Sequence, residues 1–273
     1  MTGSELRPKF IDVHPAYNSS GYIVTNEEPE TLRGFIAGKK LKRSGGIASG
    51  GEILLSVLLP QSSEVVVVDH AYNAVTMCYI KSVLLASLGP QGFLSLLTEK
   101  SLSEFQLAMK AVVLPPELAG KATILINDYN FGEFKREWKL IPAEVLDAAH
   151  KKLDKVTLIH GDLADLQSYG EFNCIYASNA FEHTGRGGIR HNLDAILPLV
   201  KTGGMVLSTH GNAMNKMSPC TPAWDLMESV KGKRATQWTH AIYKKKRPRR
   251  IPTVPGAIIT AAQQQGVTNA THV

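Results

Sequence analysis

The chain has 273 residues, enough for one large domain or two small ones. Its 44% hydrophobic and 20% charged content is ordinary for a soluble globular protein, and no unbroken apolar run reaches the roughly 18 residues that a membrane span needs. The net charge of +6 is gathered in one place: residues 231–250 hold nine lysines and arginines and no acid, while acids outnumber bases elsewhere.

The N-terminal segment, MTGSELRPKFIDVHP, lacks the apolar core of a secretory signal. Residues 1–40 carry Tyr17, Tyr22 and Thr25-Asn26-Glu27-Glu28-Pro29. One reading is a short helix through Gly38, capped by Thr25 or Asn26, with the acids in its first turn. The other is a lid over a ligand, with Tyr22 and Glu27 facing it.

The stretch Ser44 to Asp69 follows. Gly45, Gly46, Gly50 and Gly51 make a glycine-rich turn closed by Glu52. Ile53 to Leu59 is apolar and long enough for about two helical turns. Val65 to Val68 reads as a buried parallel strand ending in Asp69. Strand, glycine turn, helix, strand and terminal acid is the order in which a doubly wound sheet holds a nucleotide, the acid accepting hydrogen bonds from ribose hydroxyls. Asp69 follows Gly51 by 18 residues, near the spacing that arrangement requires. The turn is G-G-I-A-S-G-G, so the G-x-G-x-x-G dinucleotide fingerprint is absent.

Tyr72 to Leu88 is helix-compatible and meets a stop at Gly89-Pro90. Residues 91–118 continue as helix, with Ser103 as a cap and Pro115-Pro116 as the end. Together with the run to about residue 140, they form a helical insertion after the second strand. Ala122 to Asn127 is ambiguous between strand and helix. Ala143 to Leu153 is a helix rich in Ala, Glu and Lys. Val156 to His160 is a strand leading into Gly161-Asp162-Leu163. Phe172 to Ala177 is another, ending in Ser178-Asn179-Ala180-Phe181-Glu182-His183. Asn192 to Val200 is a helix stopped by Lys201-Thr202-Gly203-Gly204. Met205 to Thr209 is a strand, and Trp238 to Lys246 an edge strand. The tail 251–273 is rich in Pro, Ala and Gln and poorly ordered.

Alternating strands and helices make the class α/β, with a mainly parallel sheet and helices on both faces. The domain spans 41–250, between the N-terminal segment and the tail. Ligands in such sheets bind beyond the carboxyl ends of the strands. The glycine turn, Asp69, Asp162 and Ser178–His183 all fall there. Cys78, Cys174 and Cys220 are too scattered for a disulfide framework and fit a reducing cytoplasm. The histidines and cysteines have no metal-ligand spacing, so no metal is expected.

This order of motifs is similar to class I S-adenosylmethionine-dependent transferases, a Rossmann-like fold, over roughly residues 40–245. GIASGGE followed by VVVVDHAYNAVTMCYIKSVLLASLGPQGFLSLL resembles, more narrowly, the 3-amino-3-carboxypropyl transferase branch. That branch includes the first half of betaine-lipid synthase and isonocardicin synthase. Its I-A-S-x-G-[DE] turn, V-D strand end and Ser-Asn pair are present; a Trp expected before Glu27-Glu28-Pro29 is not. The C-terminal third, from about Asn212, has no counterpart in the branch.

The resemblance implies S-adenosylmethionine as cofactor. It implies contacts from Gly46, Ala48, Ser49, Gly50, Gly51 and Glu52 in the turn, Asp69 on the ribose, and His70 and Asn73 beside the adenosine. Asp162 and Leu163 would meet adenine, although Asp after Gly is also plain turn chemistry. Ser178 and Asn179 would line the reacting end. Glu182 and His183 would be catalytic, the histidine as base and the glutamate as base or ammonium ligand, with Tyr22 assisting from the lid. Glu27, Lys244 and Arg247 would bind the acceptor. The basic stretch is a solvated tail, a lure for an anionic substrate such as a phosphate, nucleotide or RNA, or a contact with an anionic membrane. The implied reaction moves the 3-amino-3-carboxypropyl group to an O or N nucleophile of a small or nucleotide-like acceptor. Two alternatives stand beside it: methyl transfer, and a nucleic-acid-binding protein of the same fold without catalysis. The oligomeric state is open.

Overall fold

The computed structural model describes residues 6–15, 28–121, 128–178, 193–210, 223–231 and 239–247. In chain order these contain β1 (Lys9–Asp12), α1 (Pro29–Ile36), β2 (Leu41–Ile47), α2 (Leu59–Gln61), β3 (Ser62–Asp69), α3 (Tyr72–Thr98), α4 (Leu102–Lys110), α5 (Asp128–Trp138), α6 (Ala143–His150), β4 (Val156–His160), β5 (Phe172–Tyr176), β6 (Val200–His210), β7 (Trp224–Lys231) and β8 (Thr239–Lys245). A π-helical segment, Leu54–Leu58, runs directly into α2.

The strands make one sheet in the order β1-β4-β3-β2-β5-β6-β8-β7. β1 to β6 pair in parallel, and β8 lies antiparallel between β6 and β7. The four valines of β3 explain why the sheet is covered twice. Val65 and Val67 point into one apolar cluster, with Leu55, Val75 and Leu85 from the helices. Val66 and Val68 point into the other, with Leu166, Leu193, Leu199 and Trp224. Side chains alternate along a strand, so a continuous apolar run needs a layer on each face.

From β2 the chain steps outward through β3 and β4, then returns to place β5 on the other side of β2. The order reverses between β2 and β5, and that reversal opens the ligand crevice of a doubly wound sheet. Setting β1 aside, this strand order, with its antiparallel next-to-last strand, is that of the class I methyltransferase fold.

Several expectations are corrected. Lys9–Asp12, placed in an N-terminal lid or helical segment outside the domain, is the edge strand of the sheet beside β4. The first helix starts at Pro29 with Glu28 as its N-cap, so neither Thr25 nor Asn26 caps it. The stop expected at Gly89-Pro90, by contrast, is present inside α3. Gly89 takes φ 68° and ψ 172°, and helix resumes behind the kink to Thr98. Ser101, not Ser103, caps α4, sharing a capping box with Glu104. Gly203-Gly204 lies within β6, where the register against β5 shifts, and ends no helix. β8 is interior; the edge is β7, which the sequence reading leaves unassigned.

At 27 residues, with an 18-residue window of mean hydropathy 1.3, α3 is long and apolar enough to cross a membrane. It is the core helix here: over half of its most apolar window is buried, and it packs beneath the glycine turn and against α6.

Candidate active site

The carboxyl ends of β2, β3, β4 and β5 lie side by side. β2 runs out at Ile47 into a tight turn. Ser49 has φ 44°, Gly50 φ 71° and Gly51 φ 104°. Three successive positive φ values need glycine or a strained residue, and Ser49 is the strained one. The turn closes through Gly51 N–H donating to the Ala48 carbonyl at 2.9 Å, and Ala48 N–H donating to Val68 at 2.9 Å.

Asp69 ends β3 beside this turn. Its Oδ2 accepts from the Ser49 amide at 3.3 Å and its Oδ1 from the Ala71 amide at 3.1 Å. Only 7% of the residue is exposed. Burial pushes its pKa up, against the lowering effect of the Ala71 amide, His70 and the Ser49 amide. The carboxylate keeps acceptor capacity beyond these two bonds, as an acid that receives a diol must. The His70 ring is largely exposed, with Nδ1 3.7 Å from Asp69. Asn73 is half-buried in the first turn of α3.

Two of the turn's glycines serve packing. A Cβ at Gly46 would lie 2.2 Å from the Tyr176 carbonyl oxygen on β5. A Cβ at Gly51 would lie 3.1 Å from Cys78 Cα on α3. Both let neighbouring backbone close in, whatever ligand lies above.

Glu52 does not face the crevice. It is fully buried and forms an ion pair with Lys81, also fully buried, one turn beyond Cys78 on α3. Burial lowers the Lys81 pKa, while Glu52 works to raise it. This corrects its assignment to the cofactor: the acid that closes the turn neutralises a core lysine.

Asp162 follows β4 and is exposed. Its side chain caps the short 3-10 helix Leu163–Tyr169, and Asp165 returns the bond to the Asp162 amide at 2.7 Å. Leu163 packs against the second apolar cluster. Ser178 stands beyond β5 with φ 53°, its carbonyl accepting from Ser208 Oγ at 3.1 Å and the Thr209 amide at 3.0 Å. Asn179, Glu182, His183, Tyr22 and Glu27 lie outside the described residues.

Lys244 and Arg247 are not brought to this edge. Lys244 pairs with Met205 near the start of β6, whereas the carboxyl end of β6, His210, pairs with Thr239. Lys244 to Arg247 therefore lie toward the end of the sheet opposite the crevice, whereas Lys231, paired with Thr239, stands at the crevice end. Part of the basic stretch is structural, since Lys245 donates to the Leu197 carbonyl at 2.9 Å and Lys246 pairs with Asp225 at 3.1 Å.

The sequence reading misses one cluster entirely. At the carboxyl ends of β1 and β4, His160 Nδ1 lies 2.9 Å from Asp12 Oδ1, and its Nε2 lies 3.2 Å from the His70 carbonyl. The Tyr72 ring stacks on His160 at 3.6 Å, and its hydroxyl donates to Asp12 Oδ2 at 2.8 Å. Lys121 donates to both Asp12 and Tyr72 at 2.9 Å. Tyr72 is buried here as scaffold. The signal was in the sequence: Phe10-Ile11-Asp12 and Leu158-Ile159-His160 both end apolar runs in a polar group, as Val68-Asp69 does.

No family model matches the chain, and no curated protein matches it. Solved structures similar to it include the N-methyltransferase NodS from Bradyrhizobium japonicum WM9 in complex with S-adenosyl-L-homocysteine, at 10% identity and TM-score 0.41, over 80% of this chain and 84% of that one. A mutant of MtNAS in complex with S-adenosylmethionine is similar at 12% identity and TM-score 0.39, over 80% and 61%. An rRNA methylase from Streptococcus thermophilus is similar at 9% identity and TM-score 0.38, over 82% and 99%. The fold assignment stands on the strand order, not on these distant likenesses.

Proposed function

We propose that the chain is an S-adenosylmethionine-dependent transferase. The observation that carries this reading is Asp69, a nearly buried carboxylate at the end of β3, hydrogen-bonded to the Ser49 amide of the glycine turn next to the point where the strand order reverses. The donor and acceptor set fits the cofactor. Asp69 offers acceptors to a ribose diol, and the turn from Ala48 to Gly51 presents backbone with little side chain in the way. Ser178 stands across the crevice, beyond the neighbouring strand. When bound, S-adenosylmethionine supplies a sulfonium whose attached carbons are electrophilic. The chain's own task is to orient, to exclude water and to accept a proton from the attacking atom. We assign that last step to Glu182 and His183, which follow β5 in the chain, with Tyr22 assisting, and acceptor contact to Glu27.

Two group transfers are compatible with this site. Methyl transfer is the activity that the names of NodS and the rRNA methylase state for those proteins. Transfer of the 3-amino-3-carboxypropyl arm is favoured by the resemblance of residues 46–97. The acceptor in either case is a small or nucleotide-like molecule. The test is a turnover mixture analysed by mass spectrometry. S-adenosylhomocysteine as product identifies methyl transfer, and methylthioadenosine identifies aminocarboxypropyl transfer. Absence of S-adenosylmethionine binding by calorimetry overturns both and leaves the non-catalytic alternative.

A further inference from the structure

The cluster at Asp12, Tyr72, Lys121 and His160 is built from four elements, is largely buried, and touches the strand end that carries Asp69. The turn from Asp69 to Ala71 is held from β4 at two consecutive carbonyls. Gly161 N–H donates to the Asp69 carbonyl at 2.9 Å, and His160 Nε2 reaches the His70 carbonyl at 3.2 Å. The Val13 amide in turn donates to the His160 carbonyl at 3.0 Å, tying β1 to the same point.

The donors of His160 can be counted. A backbone carbonyl only accepts, and so does an ionised carboxylate. Both ring nitrogens face such oxygens, yet a neutral imidazole has one N–H. Burial raises the Asp12 pKa, but hydrogen bonds from His160, Lys121 and Tyr72 outweigh that and hold it below its ordinary value, so Asp12 is the ionised partner. Both contacts are hydrogen bonds at once only where the ring carries hydrogen on both nitrogens.

We propose that His160 is the positioning residue of the cofactor site: through Nε2 it fixes the turn that carries Asp69, through Nδ1 it is anchored to Asp12, and the proton this double contact requires makes cofactor affinity fall as pH rises. The inference rests on the S-adenosylmethionine reading above. The groups facing the ring are Asp12 from β1, Asp69 and His70 from β3 and its turn, and Tyr72 from α3. Lys121 is bonded to Asp12 and Tyr72, and a His14–Asp165 pair at 3.1 Å stands at neighbouring Gly161. Loss of the second ring proton leaves one acceptor without its donor and loosens the turn under Asp69.

The experiment is calorimetric titration with S-adenosylhomocysteine from mildly acidic to alkaline pH, on the full chain and two variants. The unmodified protein should bind less tightly as pH rises. His160→Ala should bind about tenfold more weakly, or ~1.4 kcal/mol, with no alkaline loss. His160→Gln keeps one amide donor and should recover part of the affinity, also without the alkaline loss. Nitrogen NMR of His160 in the unmodified protein, which needs no variant to fold, should find hydrogen on both ring nitrogens at neutral pH. A singly protonated ring, or a folded His160→Ala with unchanged affinity and pH profile, overturns the inference while leaving the transferase reading intact. Failure of the unmodified protein to bind overturns both.

Discussion

Lys81 of α3 and Glu52, at the start of the helical stretch behind the glycine turn, form an ion pair with neither side chain exposed. Two charges withdrawn from water hold each other only while both are present. The pair joins the turn to the core helix at the level of Cys78, whose Cα lies 3.1 Å from where a Cβ on Gly51 would stand.

Removing one partner leaves the other buried and uncompensated. Lys81→Met should cost about 3–5 kcal/mol of folding stability. The double variant Glu52→Gln, Lys81→Met should cost less than the sum of the two single changes. Urea denaturation of the four proteins in a cycle measures the difference. Additive costs would mean that the two side chains do not act as a pair.

Asp69→Ala should weaken S-adenosylmethionine binding by about 1.5–3 kcal/mol through lost charge-assisted ribose bonds. Burial raises the Asp69 pKa above its ordinary 3.8, so affinity in the unmodified protein should fall on the acid side at a pH above that value. Calorimetry of both proteins across acid pH checks both points. Unchanged affinity in a folded variant would take Asp69 out of the site.

Gly46 and Gly50 should separate packing from ligand approach. Gly46→Ala drives a methyl group against the Tyr176 carbonyl and should unpair β2 from β5, with a clear fall in thermal midpoint. Gly50 has φ 71°. Gly50→Val should leave a folded protein, at a backbone cost of roughly 1–3 kcal/mol, that no longer binds the cofactor. Tight binding by that variant would mean the turn faces elsewhere.

Asp12 should make the fold acid-sensitive. Its folded pKa lies below the ordinary 3.8, held there by His160, Lys121 and Tyr72 against burial. A carboxyl lowered on folding contributes stability that is full above its unfolded value and is lost as pH falls through the folded one. Asp12→Asn should remove that part of the acid dependence. Chemical denaturation at several acid pH values gives the comparison.

Lys244 and Arg247 are exposed at the end of the sheet away from the crevice. Their neutralisation should leave cofactor affinity unchanged. Lys245→Ala should lower stability, because its ammonium holds the Leu197 and Val200 carbonyls at the entry to β6. A loss of cofactor binding in the Lys244 and Arg247 variant would place these two residues at the site after all.

The sequence by itself determined the α/β class, the strand at Val65–Val68 and the acid that ends it. Each rests on contiguous residues: an apolar run too short for a helix layer, a glycine cluster, a polar stop. It also determined that the glycine turn, Asp69, Asp162 and Ser178 gather at the carboxyl ends of the strands, because that follows from strand direction. The tertiary structure decided what depends on a partner far along the chain. Glu52 reads as a turn residue until Lys81, 29 positions later, is seen beneath it. Asp12 and His160 stand 148 residues apart and become neighbours only because β1 adds in parallel beside β4. Gly46 looks like a glycine for a ligand, and the Tyr176 backbone turns out to need the space. Periodicity and local propensity carry no term for such contacts, whose partners are set by sheet order and by burial on folding.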